Sequence, residues 1–318
     1  MSSVGGPLSD GRLHGREEHT DKLQGTMRER TPFPADLVAR LPNLKLLLTT
    51  GPRNLALDLD AFKQRGIPVV GVYEKSGTTT GPDSTTQHCV ALILAAARNI
   101  AEDNVSVKTG GWQTGYAMGL SGKVFGTVGL GRLGVSVAKI MHTAFGMKIL
   151  AWSPNLTQDA ANERAEAAGF SAKGADGEET FKVVSKEALF KHSDVINIHV
   201  VLSDRSRGMI TAKDLEVMKP GALFVNTSRG PIVAEEDLLD VLNRGRIRGA
   251  ALDVFDLEPL PIDSPWRTTK WGEQGRSQVV LSPHMGYVED TTMERWYQLQ
   301  VESIQQWHRG EELAMRIA

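Results

Sequence analysis

Three residues that follow short apolar runs have the types needed for acid–base chemistry on a small anionic substrate. Arg229 lies in Asn226-Thr227-Ser228-Arg229-Gly230-Pro231, after the run 222–226. Glu258 lies in Asp253-Val254-Phe255-Asp256-Leu257-Glu258-Pro259, after a run ending at Val254. His284 lies in Leu281-Ser282-Pro283-His284-Met285-Gly286, after the run 279–281. Imidazole titrates near neutral pH, which suits a proton donor to a carbonyl oxygen. Glu258, hydrogen-bonded to the other ring nitrogen, would fix the tautomer. A guanidinium such as that of Arg229 can grip a carboxylate with a planar fork and stabilise charge growing on a carbonyl oxygen. Asp253, on the same rim, could accept from the amide of a nicotinamide. Proton donor, clamp and fixed cofactor are what hydride transfer to a carbonyl requires. Taken singly, each residue has a plainer explanation. His284 could be a loop histidine capping a helix, and Arg229 with Glu258 a surface ion pair worth under about 1 kcal/mol. Their joint occurrence behind a dinucleotide turn favours catalysis.

That turn is Gly129-Leu130-Gly131-Arg132-Leu133-Gly134, preceded by the apolar run 124–128. Helical periodicity follows, apolar at Leu133, Val137, Ile140, Met141 and Ala144. Strand, glycine turn and helix in that order is the context a dinucleotide fingerprint requires. Gly129 can take the tight turn, Gly131 lets the backbone approach a pyrophosphate, and Gly134 lets helix and strand pack closely. The amides of the first helical turn, at Arg132 and Leu133, then face the phosphates. A P-loop is excluded because Gly122-Lys123 is followed by Val124 rather than Ser or Thr.

The elements that must position these residues recur at spacings suited to helical crossovers. Apolar runs at 124–128, 147–152, 195–200, 222–226, 250–254 and 279–281 read as six strands, separated by helical patterns near 159–168, 186–190, 212–218 and 235–242. Strands apolar on both faces and alternating with helices imply a doubly wound parallel sheet of an α/β protein. Upstream, strands are expected at 44–49 and 67–72 with a helix at 55–65 between them. A Gly/Thr/Pro linker at 77–82 reads as a hinge, followed by a helix at 87–100 capped by Ser84 or Thr85. A final helix near 289–307 carries an apolar stripe at Met293, Trp296, Tyr297, Val301, Ile304 and Trp307, expected to pack across a domain boundary. The domain assignment is 1–83 and 285–318 for a substrate domain and 84–284 for a cofactor domain.

Composition narrows the partners. The formal net charge is −2 with no basic face, so neither nucleic acid nor an anionic membrane is expected. The longest apolar run, 90–97, is far short of a bilayer span. Cys89 is the single cysteine and sits among apolar helix positions, so it reads as a packed thiol in a reducing compartment. The eight histidines lack metal-ligand spacing, and no metal site is assigned. Residues 1–26 lack the apolar core of a signal peptide and read as loop or disorder; the cytoplasm is the expected location.

From about Arg28 onward these motifs together resemble the D-isomer-specific 2-hydroxyacid dehydrogenase family, enzymes interconverting 2-oxoacids and (R)-2-hydroxyacids with NAD or NADP. The resemblance rests on the glycine turn, on His199-Val200-Val201-Leu202, on Thr227-Ser228-Arg229-Gly230, on Leu252-Asp253-Val254-Phe255 through Glu258-Pro259, and on Ser282-Pro283-His284-Met285-Gly286. It implies two Rossmann-like domains around a cleft and a homodimer, with interface candidates at 87–100 and 112–116. It also implies that Arg229 and His284 are catalytic and that Glu258 assists the histidine. Gly129, Gly131, Arg132, Leu133, Gly134, Ser153, Thr227, Ser228, Asp253 and Gly286 would contact the cofactor. Gly51, Arg53 and Asn54, with Arg229, would contact the substrate carboxylate.

Two departures from the family pattern stand out. An acidic residue normally ends the second cofactor-domain strand and holds the ribose 2′-hydroxyl of NAD. Here Trp152 is followed by Ser153-Pro154-Asn155, which leaves the choice between NAD and NADP open. The substrate domain also reads as truncated, with only a polar tail where related chains carry a strand, a helix and another strand. Unpaired strand edges and reduced stability are the expected consequence. Formate dehydrogenases are disfavoured by Glu258, and a phosphoglycerate dehydrogenase with a regulatory domain by the lack of one after Trp307. A redox-sensing, corepressor-like NAD(H)-binding protein is the alternative from another class.

Overall fold

The computed structural model describes residues 32–51, 56–72 and 81–318, together with the backbone at 24–25. They fall into two units, one from 1–78 with 293–318, the other from 79–292. The first holds parallel strands β1 (Gln24–Gly25), β2 (Leu47–Thr50) and β3 (Val69–Val72) in that order, with helices α1 (Ala35–Ala39) and α2 (Leu59–Gln64). Strand β1 corrects the reading of 1–26 as wholly loop: Gln24 and Gly25 pair with Leu47 and Leu48. Backbone pairing satisfies the edge of β2 whatever the side chains of the added segment, so composition gave no sign of it. The rest of that tail lies outside the described residues, as do 73–80, which include most of the expected hinge.

The other edge of β3 is covered by the end of the chain. Gly71 N–H donates to Met315 O at 3.0 Å and Val69 N–H to Ala318 O at 3.1 Å.

The second unit contains a seven-stranded, wholly parallel sheet. Its strands are β4 (Val124–Val128), β5 (Lys148–Trp152), β6 (Phe181–Val183), β7 (Val195–Ile198), β8 (Leu223–Asn226), β9 (Gly249–Leu252) and β10 (Gln278–Leu281), in the order β10-β9-β8-β7-β4-β5-β6. The sheet has one strand more than expected. Strand β6 is only three residues long at the edge, and exposed Lys182 interrupts its apolar run. Helix α3 (Ser84–Ala97) is capped by Asp83, whose carboxylate accepts from Thr86 N–H at 3.0 Å, and not by Ser84 or Thr85. It stops short of Ile100 because Asn99 turns left-handed (φ 54°) before α4 (Ile100–Lys108).

Successive residues of a strand face opposite sides, and both sides are packed. Val195, Leu223 and Val225 lie with Leu92 and Ile93 of α3 and with Val137 and Met141 of α5 (Arg132–Phe145). Ile196 and Phe224 lie on the other side with Leu189 and Phe190 of α7 (Lys186–His192) and Leu238 and Leu242 of α9 (Glu235–Asn243). Helices α6 (Gln158–Ala167), α8 (Ala212–Leu215) and α10 (Pro265–Thr268) complete this unit. The chain then continues through α11 (Asp290–His308) into the first unit. There α11 packs Trp296, Leu299, Ile304 and Trp307 on Leu46, Leu48, Val70 and Val72. Tyr297 and Val301, expected on that stripe, are each about half exposed, because Leu299 sets the buried register.

Candidate active site

At the end of β4 the chain turns through Gly129, whose φ of 102° is a left-handed conformation that L side chains rarely adopt. Its N–H donates to Trp152 O at 2.8 Å, and a Cβ here would stand 2.9 Å from the carbonyl of His199. A Cβ on Gly134 would meet Gly129 O at 2.1 Å, so helix α5 crosses the turn where only glycine fits. Gly131 differs: a Cβ there would meet nothing within 4 Å. Gly131 also caps α5 without a side chain, so no capping group competes for the first-turn amides. An open cradle at a helix N-terminus fits a pyrophosphate. Leu133 follows Arg132 in that first turn, and Arg132 pairs with Asp83. Ser153 follows the end of β5, where its carbonyl accepts from Leu156 N–H at 3.1 Å. No carboxylate stands between Trp152 and Leu156.

On the other half of the sheet, β8, β9 and β10 end in register, Asn226 beside Leu252 and Leu252 beside Leu281. Each of these neighbouring strands hands its loop one of the candidate residues. Glu258 and His284 meet: Oε2 lies 2.9 Å from the ring Nδ1, with the two side chains 9% and 15% exposed. The second carboxylate oxygen accepts from Phe255 N–H at 2.9 Å. A carboxylate only accepts, so Nδ1 carries the hydrogen and Nε2 faces away from the pair. His284 has φ 57°, and Tyr287 meets its ring edge-on at 5.8 Å.

Arg229 is exposed at the end of β8, with Nη1 donating to Ser228 O at 2.7 Å. Asn226 Nδ2 holds its carbonyl at 3.0 Å. The loop of Arg229 lies against that of Glu258, since a Cβ on Gly230 would fall 2.1 Å from the Phe255 carbonyl carbon. Ser228 Oγ donates to Val200 O at 2.6 Å.

Asp253, 1% exposed, gathers the rest of this rim. Oδ1 accepts from Met285 N–H at 2.8 Å, and Oδ2 from the N–H of buried Gly286 at 3.0 Å. Burial by itself would raise its pKa. Hydrogen bonds from His88, the Met285 amide and Ser282 outweigh burial and hold the carboxyl below the usual carboxylate range.

Residues 90–286 match the family model described as D-isomer specific 2-hydroxyacid dehydrogenase, NAD binding domain. The chain belongs to the D-isomer specific 2-hydroxyacid dehydrogenase family. It is 37% identical over 261 residues to a D-3-phosphoglycerate dehydrogenase of Archaeoglobus fulgidus, an alignment taking in 81% of this chain and 44% of that one. It is 33% identical over 287 residues to a glyoxylate reductase of Thermococcus litoralis, covering 87% and 77% of the two. The crystal structure of a phosphoglycerate oxidoreductase from Vibrio cholerae superposes with a TM-score of 0.76 at 32% identity, covering 91% of this chain and 84% of that one. The chain thus spans less than half the length of the Archaeoglobus relative.

Within this family member, the sequence-derived residues are not all equally visible. Gly51 lies at the end of β2 in the first unit, with its N–H on Val72 O at 2.7 Å; Arg53 and Asn54 lie outside the described residues. Thr227 and Cys89 are buried together, with Asn197 Nδ2 donating to Cys89 Sγ at 2.6 Å. Burial pushes the Cys89 thiol up to about 11, against the opposing hydrogen bonds of Thr227 and Asn197, so a packed thiol is what the structure shows. One polar residue of this rim, His88, escaped the sequence reading. His88 Nε2 lies 3.1 Å from Asp253 Oδ1 and 3.0 Å from Ser282 Oγ. The available signal was a histidine in the first turns of an otherwise apolar helix. No group of acidic, histidine or cysteine side chains suited to a metal occurs among the described residues.

Proposed function

We propose that this protein reduces a small 2-oxoacid to the (R)-2-hydroxyacid, and runs the reverse oxidation, with NAD(H) or NADP(H). The observation that carries this reading is the buried Glu258–His284 pair, on the loops that follow β9 and β10, next to the loop after β8 that carries Arg229. When bound, the nicotinamide supplies the hydride that reaches the carbonyl carbon. The proton for the carbonyl oxygen comes from His284 Nε2, because Glu258 holds Nδ1. Arg229 binds the substrate carboxylate and offsets the negative charge developing on the oxygen. Gly129, Gly131, Gly134 and the amides of Arg132 and Leu133 hold the pyrophosphate. Ser153 faces the adenosine ribose, and Thr227, Ser228 and Gly286 flank the nicotinamide half. Asp253 accepts from the carboxamide.

A homodimer joined through the second unit, by α3 and the 112–116 arm, fits the exposure of Trp112 at 72% and Tyr116 at 98%. No helix among the described residues is long and apolar enough to cross a membrane, and we place the enzyme in the cytoplasm. The Glu258–His284 pair argues for turnover over a binding-only redox sensor, which has no use for a proton donor.

The test is a panel of glyoxylate, hydroxypyruvate and bulkier 2-oxoacids with NADH and NADPH. Turnover of one of them to the (R)-alcohol supports the reading. Dinucleotide binding with no turnover of any would refute it.

A further inference from the structure

Asp253 does more on this rim than offer an acceptor. Its main-chain carbonyl takes His284 N–H at 2.8 Å, while its carboxylate takes the next two amides, Met285 and Gly286. One residue therefore holds three consecutive amides of the loop that carries the imidazole, and holds His284 in a left-handed conformation. That hold depends on the rotation of the carboxylate. From α3, His88 Nε2 reaches Oδ1, the same oxygen that takes the Met285 amide, at 3.1 Å. An ionised carboxylate only accepts, so the ring nitrogen must be the donor. Ser282 Oγ, beside the same nitrogen, closes the group.

We propose that His88 is a positioning residue for the reaction: its Nε2–H fixes the Asp253 carboxylate so that the His284 loop and the nicotinamide carboxamide are held by one rigid group. Oδ1 accepts from His88 and Met285 and Oδ2 from Gly286, so the side-chain donor from α3 and the two loop amides share one carboxylate, and a rotation of that group would disturb all three bonds. The inference rests on Asp253 binding the carboxamide, as proposed above. The plainer alternative is a histidine that merely fills space; its side chain is 23% exposed and lies on a helix already well packed.

The two differ in which half of the cofactor feels the change. Binding of NADH and of ADP-ribose, which lacks the nicotinamide, is measured by titration for wild type, His88→Met, His88→Gln and Asp253→Asn. If NADPH binds more tightly, NADPH and 2′-phospho-ADP-ribose replace them. Loss of one hydrogen bond in His88→Met should weaken NADH by about fivefold or more and ADP-ribose by less than about twofold. Its kcat with the best 2-oxoacid should fall about tenfold. The Gln amide nitrogen can stand in for Nε2, so His88→Gln should recover most of both losses. Equal weakening of the two ligands, no weakening of either, or Met and Gln behaving alike would overturn the proposal. Should His88→Met not fold, His88→Asn, polar but too short to reach Asp253, takes its place with the same expectations. If Asp253→Asn itself leaves the NADH to ADP-ribose ratio unchanged, the assignment of the carboxamide to Asp253 is what fails. If Asp253→Asn shifts the ratio and His88→Met does not, only the positioning role fails.

Discussion

The two halves of the sheet's carboxyl edge are made of different materials. Behind β4 the site is main chain and empty space: two glycines that tolerate no Cβ, a third facing open space, and a helix start without a side-chain cap. Behind β8, β9 and β10 it is side chains held by side chains, Glu258 on His284 and Asp253 on two amides. A backbone site binds what any dinucleotide presents and performs no proton transfer. A side-chain site does chemistry only if each group is held in position. Damage to the two halves should therefore look different, and that difference can be tested.

The largest effect belongs to the side-chain half. His284→Ala should lower kcat by about two to four orders of magnitude while leaving dinucleotide affinity within about twofold. Steady-state rates and a fluorescence titration on the same preparation decide it. A parallel loss of binding would mean the two halves are not separable.

Next come the glycines, which divide the backbone half itself. Gly134→Ala drives a methyl into the Gly129 carbonyl, a backbone atom that cannot move aside. It should cost about 1–3 kcal/mol of stability or more and abolish dinucleotide binding. Gly131→Ala places its methyl in open space, so stability should change by less than about 1 kcal/mol. Dinucleotide affinity should still fall about tenfold, because the methyl occupies the cradle. Thermal unfolding and titration of both variants would show whether the two glycines differ in kind.

Arg229→Ala should cost about tenfold to a hundredfold in kcat/KM for the oxoacid, with KM rising, as expected for a lost charge-assisted grip. An unchanged KM would remove the carboxylate clamp. The absence of a carboxylate after β5 gives a milder expectation, kcat/KM for NADH and NADPH within about tenfold of each other. Ser153→Asp should then disfavour NADPH.

Much of this contrast was readable beforehand, and the gaps have physical causes. The glycine turn was legible because its parts are contiguous and its flanks switch from strand to helix. Arg229, Glu258 and His284 were legible because each follows an apolar run, and parallel strands put such positions on one rim. Strand β6 was missed because three residues with a lysine in the middle carry no period. His88 was missed for another reason: its hydrogen bond to Asp253 spans 165 positions, and the local signal, a histidine early in an apolar helix, does not say what it meets. The cap of α3 went to Asp83 rather than its neighbours because one residue's phase decides which side chain meets the first free amides.

A second histidine sharpens the comparison at the smallest scale. His199 follows β7 as His284 follows β10, but its Nε2 is buried with no partner among the described residues. Burial pushes it down to about 4, the Asp83 carboxylate opposing only weakly. In the folded protein the ring therefore stays neutral where the unfolded chain, with an ordinary value near 6.5, already binds a proton. Between those values the unfolded state carries more protons, so stability must fall as the pH drops from about 6.5 toward 4. His199→Asn removes the titrating group and should flatten that part of the stability curve, while stability near pH 8 shifts only by the packing change. Urea unfolding at several pH values measures the slope directly. An unaltered slope in the variant would mean that other groups set the acid sensitivity between those values, and that the β7 histidine is not held neutral by its surroundings.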